Sequence, residues 1–133
     1  MTTGKNYFAT NADGSLQKND DGTIRKFATG ATRDTAVNKF DYEAFLSPIV
    51  LKRFAEYMHK CRIQSNGELR DADNWQLGIA QDVYIKSAFR HFMDWWHSHR
   101  GDKTVNREEA LCAMMFNVMG YLFEELRNKN GTE

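Results

Sequence analysis

The chain has little of several things that would classify it at once. Its 18 Lys and Arg balance 18 Asp and Glu, for a formal net charge of zero. Phosphate-backbone affinity comes from clustered cations, so the balance argues against a dedicated nucleic-acid binder. A small phosphorylated ligand, which needs only a few cations or a metal, is not excluded. The two cysteines, Cys61 and Cys112, are too few for a disulfide framework. Both fall in apolar stretches, as buried reduced thiols do. No apolar run approaches the roughly 20 residues that a membrane span requires, and residues 1–19 are polar rather than charged-then-apolar. The reading is therefore a protein with no membrane partner, in the cytoplasm.

What remains, in 133 residues, is the material of one domain. Nine Phe, five Tyr and three Trp supply large side chains for a core. Residues 1–40 stand apart, with four of the nine glycines, much Thr, Asn and Asp, and few large apolar side chains. They read as an irregular arm. Asp13-Gly14 and Asp21-Gly22 are turn signals, and residues 15–18 and 23–27 are candidates for a short hairpin. The run Phe27 to Asp34 reads as a loop.

Residues 41–128 read as helical. Ser47-Pro48 is a helix start, because Ser caps well and Pro loses no hydrogen bond at the first position. Ile49, Val50, Leu51, Phe54, Met58 and Cys61 follow at near-helical spacing. A polar loop with one tryptophan spans residues 68–80. A second helix is expected from Asp82, as its cap, to His97. Its broad apolar face is Tyr84, Ile85, Ala88, Phe89, Phe92, Trp95 and Trp96, and Ser87, Arg90, His91 and Asp94 form a polar one. In the third helix Asn106 and Glu109 make a capping-box-like start, and residues 110–126 are nearly all apolar. Such a helix needs neighbours on all sides. A second copy of the chain would supply the missing wall, so a homo-oligomer, most simply a dimer, is expected with this helix near the contact. The fold class is all-α, a small helical bundle with an irregular N-terminal arm.

Four constellations carry chemistry. Arg90-His91 with Asp94 places a carboxylate one turn from an imidazole, which can orient the ring or share a divalent metal with it. Glu108-Glu109 opens the third helix, and Glu109, Ala113 and Asn117 share a face. Capping alone also explains Glu109. Asn117 is a polar group in an apolar run and must find partners. Ala113 and Gly120 leave space beside it, fitting either a ligand group or a close helix crossing. Arg70, Asp71, Asp73, Asn74 and Trp75 put an indole among polar groups, able to stack a nucleobase or simply to pin the loop. Gly30 to Asp34, with Arg33 and Lys39, can cradle phosphate, although the ending of a P-loop is missing.

Taken in order, Gly30-Ala31-Thr32-Arg33-Asp34, Lys39-Phe40-Asp41-Tyr42-Glu43, Asp73-Asn74-Trp75-Gln76, Ser87-Ala88-Phe89-Arg90-His91 and Glu108-Glu109-Ala110-Leu111-Cys112 with Phe116-Asn117-Val118-Met119-Gly120 carry a resemblance. The chain resembles the phage-associated family of dATP/dGTP diphosphohydrolase N-terminal domains, over roughly residues 28–126. That family implies a relation to the MazG-like nucleotide pyrophosphohydrolases, which cleave (d)NTP to (d)NMP and pyrophosphate with Mg²⁺ held by helix carboxylates. The resemblance implies a purine nucleotide as ligand, Mg²⁺ as cofactor and the host cytoplasm as location. It implies Asp94, Glu108 and Glu109 as metal ligands, with His91, Asp94 and Glu109 in the chemistry. Arg33, Lys39 and Arg90 would hold phosphates, and Asp73, Asn74, Trp75 and Asn117 would contact the rest of the ligand. The MazG pattern is E-x-x-E on one helix and E-x-x-D on the next. Here the corresponding positions offer His91-x-x-Asp94 and Glu108-Glu109, three carboxylates in place of four. A nucleotide-binding protein without catalysis is the alternative.

Overall fold

A computed structural model describes residues 24–129 of the chain. They fall into two compact units, one ending at Ser47 and one beginning at Pro48.

The first unit contains a two-stranded antiparallel hairpin, β1 (Arg25–Lys26) and β2 (Thr32–Arg33), with Arg25 opposite Arg33 and Lys26 opposite Thr32. The turn is closed by Phe27 N–H on Ala31 O and by Gly30 N–H on Phe27 O. Gly30 has φ +96°, a conformation that glycine adopts without a steric penalty. Two cations face each other across the strands, and Arg25 turns its Nε onto Asp34 O at 2.7 Å. The expected hairpin is thus corrected. Its C-terminal strand exists, but it pairs forward with residues inside the expected loop. Residues 15–18 lie outside the described part of the chain. A single helical turn, α1 (Tyr42–Phe45), follows, capped by Asp41 Oδ1, which accepts from Ala44 N–H at 3.0 Å.

The second unit is helical: α2 (Pro48–Lys60), a 3-10 turn (Asn74–Leu77), α3 (Gln81–His99) and α4 (Arg107–Lys129). The expected all-α bundle is present. α2 starts at Pro48, as the sequence requires. α3 starts one residue earlier than expected. Its cap position is Ala80, without a side-chain cap bond, and Asp82 lies in the first turn. A tertiary tie replaces the cap, because Gln81 Nε2 donates to Glu125 Oε1 at 3.0 Å and reaches Tyr121 O on α4. For α4, Asn106 Oδ1 accepts from Glu109 N–H at 3.1 Å, so the expected cap forms.

α3 and α4 form an antiparallel pair. Tyr84, near the start of α3, meets Gly120, and Ser98, near its end, accepts from Arg107 Nε at 2.7 Å. The buried residues of α4 are Ala110, Cys112, Ala113, Asn117, Gly120 and Glu124. Small side chains let the two helices close in, and Tyr84 is the one large side chain wholly buried among the described residues. The expected apolar face of α3 therefore divides. Tyr84 and Ala88 turn inward, while Ile85, Phe89, Phe92, Trp95 and Trp96 are exposed. On α4, Met115, Val118, Leu122 and Leu126 are exposed too. The physical cause is width: α3 has one close helical partner, and its apolar stripe is broader than that contact. No helix among the described residues is long and apolar enough to cross a membrane.

Candidate functional site

Two concavities adjoin on the second unit, sharing Tyr57 and His91 in their walls. The first, of about 250 Å³, lies among α2, the 62–75 connection, α3 and α4. The second, of about 340 Å³, lies between the end of α3 and the start of α4.

The connection after α2 builds one rim of the first cavity. Arg70 N–H donates to Arg62 O at 2.9 Å, and Arg62 Nε donates back to Arg70 O at 2.8 Å. Between them an isolated bridge joins Ile63 and Leu69, and Gly67 turns the chain at φ +86°. This reciprocal lock holds two guanidinium-bearing residues side by side, and both line the cavity. Among the described residues no carboxylate lies within ion-pair distance of either.

The 3-10 turn supplies Asn74 and Trp75 to the wall. The indole is half-buried and packs edge-on against Phe123 at 4.9 Å and Phe116 at 6.2 Å, both on α4. The turn is pinned from behind. Buried Glu124 accepts Ile79 N–H at 3.1 Å and pairs with Arg127 at 3.0 Å, while Arg127 Nη1 donates to Gln76 O. Gly78, at φ +125°, leaves room for the Arg127 guanidinium, which would stand 2.8 Å from a Cβ there. From α3 come Ser87 and His91, and from α4 come Phe116 and Asn117. Asn117 is buried and donates Nδ2–H to Ala113 O at 2.7 Å. Its small neighbour Gly120 does not open a ligand groove, since the Tyr84 ring fills that space. α2 contributes Tyr57, and Cys61 follows directly after the helix. Burial, then the neighbouring Cys61 side chain, pushes the Tyr57 hydroxyl pKa well above its ordinary range.

The second concavity gathers His91, Asp94 and Glu109, the three residues expected to act together. His91 Nδ1 lies 3.8 Å from Asp94 Oδ2, one turn along α3. Glu109 is ion-paired with Lys60 at the end of α2, and Glu108 with Arg53 at 2.7 Å. Mg²⁺ requires several oxygen ligands converging on one point. Among the described residues no three His, Cys, Asp or Glu side chains do so. Glu108 and Glu109 as placed answer cations of the protein itself, Arg53 and Lys60.

The other expected residues are dispersed. Glu108, Arg90 and Asp73 are exposed and line neither concavity. Arg33, in β2, and Lys39, in the turn closed by its N–H on Ala36 O, belong to the first unit. Sequence reasoning missed Tyr57 and Arg62 and took Arg70 only as one of the polar groups around Trp75. Tyr57 was discoverable as the residue one turn before Cys61 on the inward side of α2. Arg62 and Arg70 had no local signal, because a non-local backbone pair unites them.

Compared with known protein families, with curated proteins and with solved structures, the chain matches none.

Proposed function

We propose that the helical unit binds a phosphorylated, nucleotide-type ligand in the Trp75 cavity and does so without a metal. The observation that carries this reading is the reciprocal Arg62–Arg70 lock, which sets two arginines that have no carboxylate partner among the described residues on the rim of a cavity walled by Trp75 and Asn117. Guanidinium groups match phosphate oxygens by paired hydrogen bonds. Trp75 and Phe116 offer aromatic surface to a base, and Asn74, Ser87 and Asn117 offer hydrogen-bonding groups. The resemblance set out above favours a purine nucleotide. The protein's zero net charge suits a small anion held by a few fixed cations better than a polyanion.

A second reading is a Mg²⁺-dependent (d)NTP pyrophosphohydrolase. It is favoured by His91, Asp94 and Glu109 lining one groove beside the cavity. Titration calorimetry with dATP and dGTP, in EDTA and again in Mg²⁺, tests both readings. Binding in EDTA, with no pyrophosphate released in Mg²⁺ or Mn²⁺, supports the first. Binding only with metal, accompanied by pyrophosphate release, replaces it with the second. No binding under either condition sinks both.

A further inference from the structure

The geometry points to a second copy of this chain as the occupant of the exposed face of α3, docked helix against helix in antiparallel orientation. Ile85, Phe89, Phe92 and Trp96 follow one another at steps of four, three and four. That spacing is the seam of a helix that packs along its length against another helix. With Met93 beside them, these side chains are 40–66% exposed. At about 150–250 Å² for a large aromatic side chain, the patch amounts to roughly 500 Å² of apolar surface. That is most of the ~800 Å² that each partner gives to a stable interface. A patch of this size is on the scale of the largest apolar patch of a monomer, which is often a functional surface.

Three features select a second copy over another partner. The seam is self-complementary. In an antiparallel pair related by a two-fold axis, Phe89 meets Phe92 of the second copy and Ile85 meets its Trp96, so one patch covers itself twice and the assembly closes. The ends of α3 are of opposite character, with Asp82 in the first turn and His97, His99 and Arg100 at the last. Antiparallel docking sets the acidic end beside the basic end of the second copy and opposes the helix dipoles. Zero net charge leaves no long-range repulsion between copies. Pairing of the α3 seam with the exposed stripe of α4 in a head-to-tail contact would close only where the rotation between copies completes a ring. The inference moves the expected contact from α4 to α3.

The test is the mass of the full chain in solution by light scattering and sedimentation. Wild type at ~100 µM is expected at twice the chain mass. Phe89→Glu places a charge in the seam and should raise the dimer dissociation constant at least ~100-fold with helical circular dichroism retained. Phe89→Ser gives the same direction if the Glu variant fails to fold. Hydroxyl-radical footprinting of wild type, which depends on no variant, should show Phe89, Met93 and Trp96 protected at high concentration and labelled on dilution. A monomeric wild type, a dimer indifferent to both substitutions, an open-ended polymer, or protection that persists on dilution because the chain's own residues cover the seam would each overturn the inference.

Discussion

The ring of Tyr84 occupies the place where a side chain on residue 120 would be: a Cβ built on Gly120 would stand 2.2 Å from Tyr84 Cζ. The ring is rigid and wholly buried, and it packs edge-on against Phe116 at 5.7 Å. Neither helix can yield without disturbing the α3–α4 contact around which the second unit is built. Gly120→Ala should therefore destabilise by at least the ~1–3 kcal/mol typical of overpacking, despite the better helix propensity of Ala. Urea denaturation measures it. An equal or raised midpoint would mean that the two helices do not cross this closely.

The hydroxyl of the same tyrosine is buried without a hydrogen-bond partner. An unsatisfied buried polar group costs about 1–3 kcal/mol, so Tyr84→Phe should leave stability unchanged or raise it. Burial, with the Glu124 carboxylate adding to it, holds the Tyr84 pKa above its ordinary value. For an acid whose folded pKa is raised, the stability term is fully present below the unfolded pKa, about 10 for tyrosine. It is lost as pH rises through the folded pKa. The Phe variant should accordingly outlast wild type in alkaline unfolding above pH ~10. If it unfolds first at every pH, the hydroxyl has a partner in solution.

Glu124 is the anchor of the cavity's far wall, since it receives Ile79 N–H and Arg127 together. Glu124→Ala strands both donors and should cost about 2–4 kcal/mol. Glu124→Gln keeps an acceptor for Ile79 and should cost less. Because the pinned turn carries Trp75, the Ala variant should also change tryptophan emission before global unfolding begins. An emission profile that tracks only the global transition would show that the turn is held by other means.

Local signals made the fold legible, and the site much less so. Pro48 and the Asn106–Glu109 start mark helix ends through bonds within a few residues. The spacing of His91 and Asp94 placed both on one wall of one groove. The start of α3 was misread because its tie is to Glu125, 44 positions away. β2 was hidden in a small polar run for a similar reason, its strand character coming from β1 and not from its own composition. Arg62 and Arg70 become neighbours through a chain reversal that no periodicity announces. Glu109 looked free for a metal because Lys60 is nearly fifty residues earlier in the sequence.

The two thiols should behave as different chemical groups. Cys61 is exposed on the cavity wall, whereas Cys112 is buried and its pKa is raised by that burial. Thiolate is the reactive form, so a thiol reagent at pH 8 should modify one cysteine rapidly and the second only on unfolding. Under the proposed function, a bound nucleotide should slow the fast reaction, since Cys61 lines the cavity it would fill. Two equally fast thiols would contradict the packing of Cys112 against α2.

Arg70 and Arg90 separate the cavity from the polar face of α3 as the place where a phosphate is held. Arg70 lines the cavity, while Arg90 is exposed and lines neither concavity. A charge-assisted hydrogen bond contributes about 1.5–3 kcal/mol, so Arg70→Ala should weaken dATP or dGTP binding roughly tenfold or more. The backbone bonds of Arg70 to Arg62 survive that change, and the melting temperature should hardly move. Arg90→Ala should leave both affinity and stability at wild-type values. Trp75→Ala should lower affinity and stability together, because the indole also packs on Phe116 and Phe123. Calorimetric affinities and melting temperatures on the same four samples give the answer. If Arg90→Ala abolishes binding and Arg70→Ala does not, the phosphate lies against the exterior of α3 and the Trp75 cavity is not the ligand site.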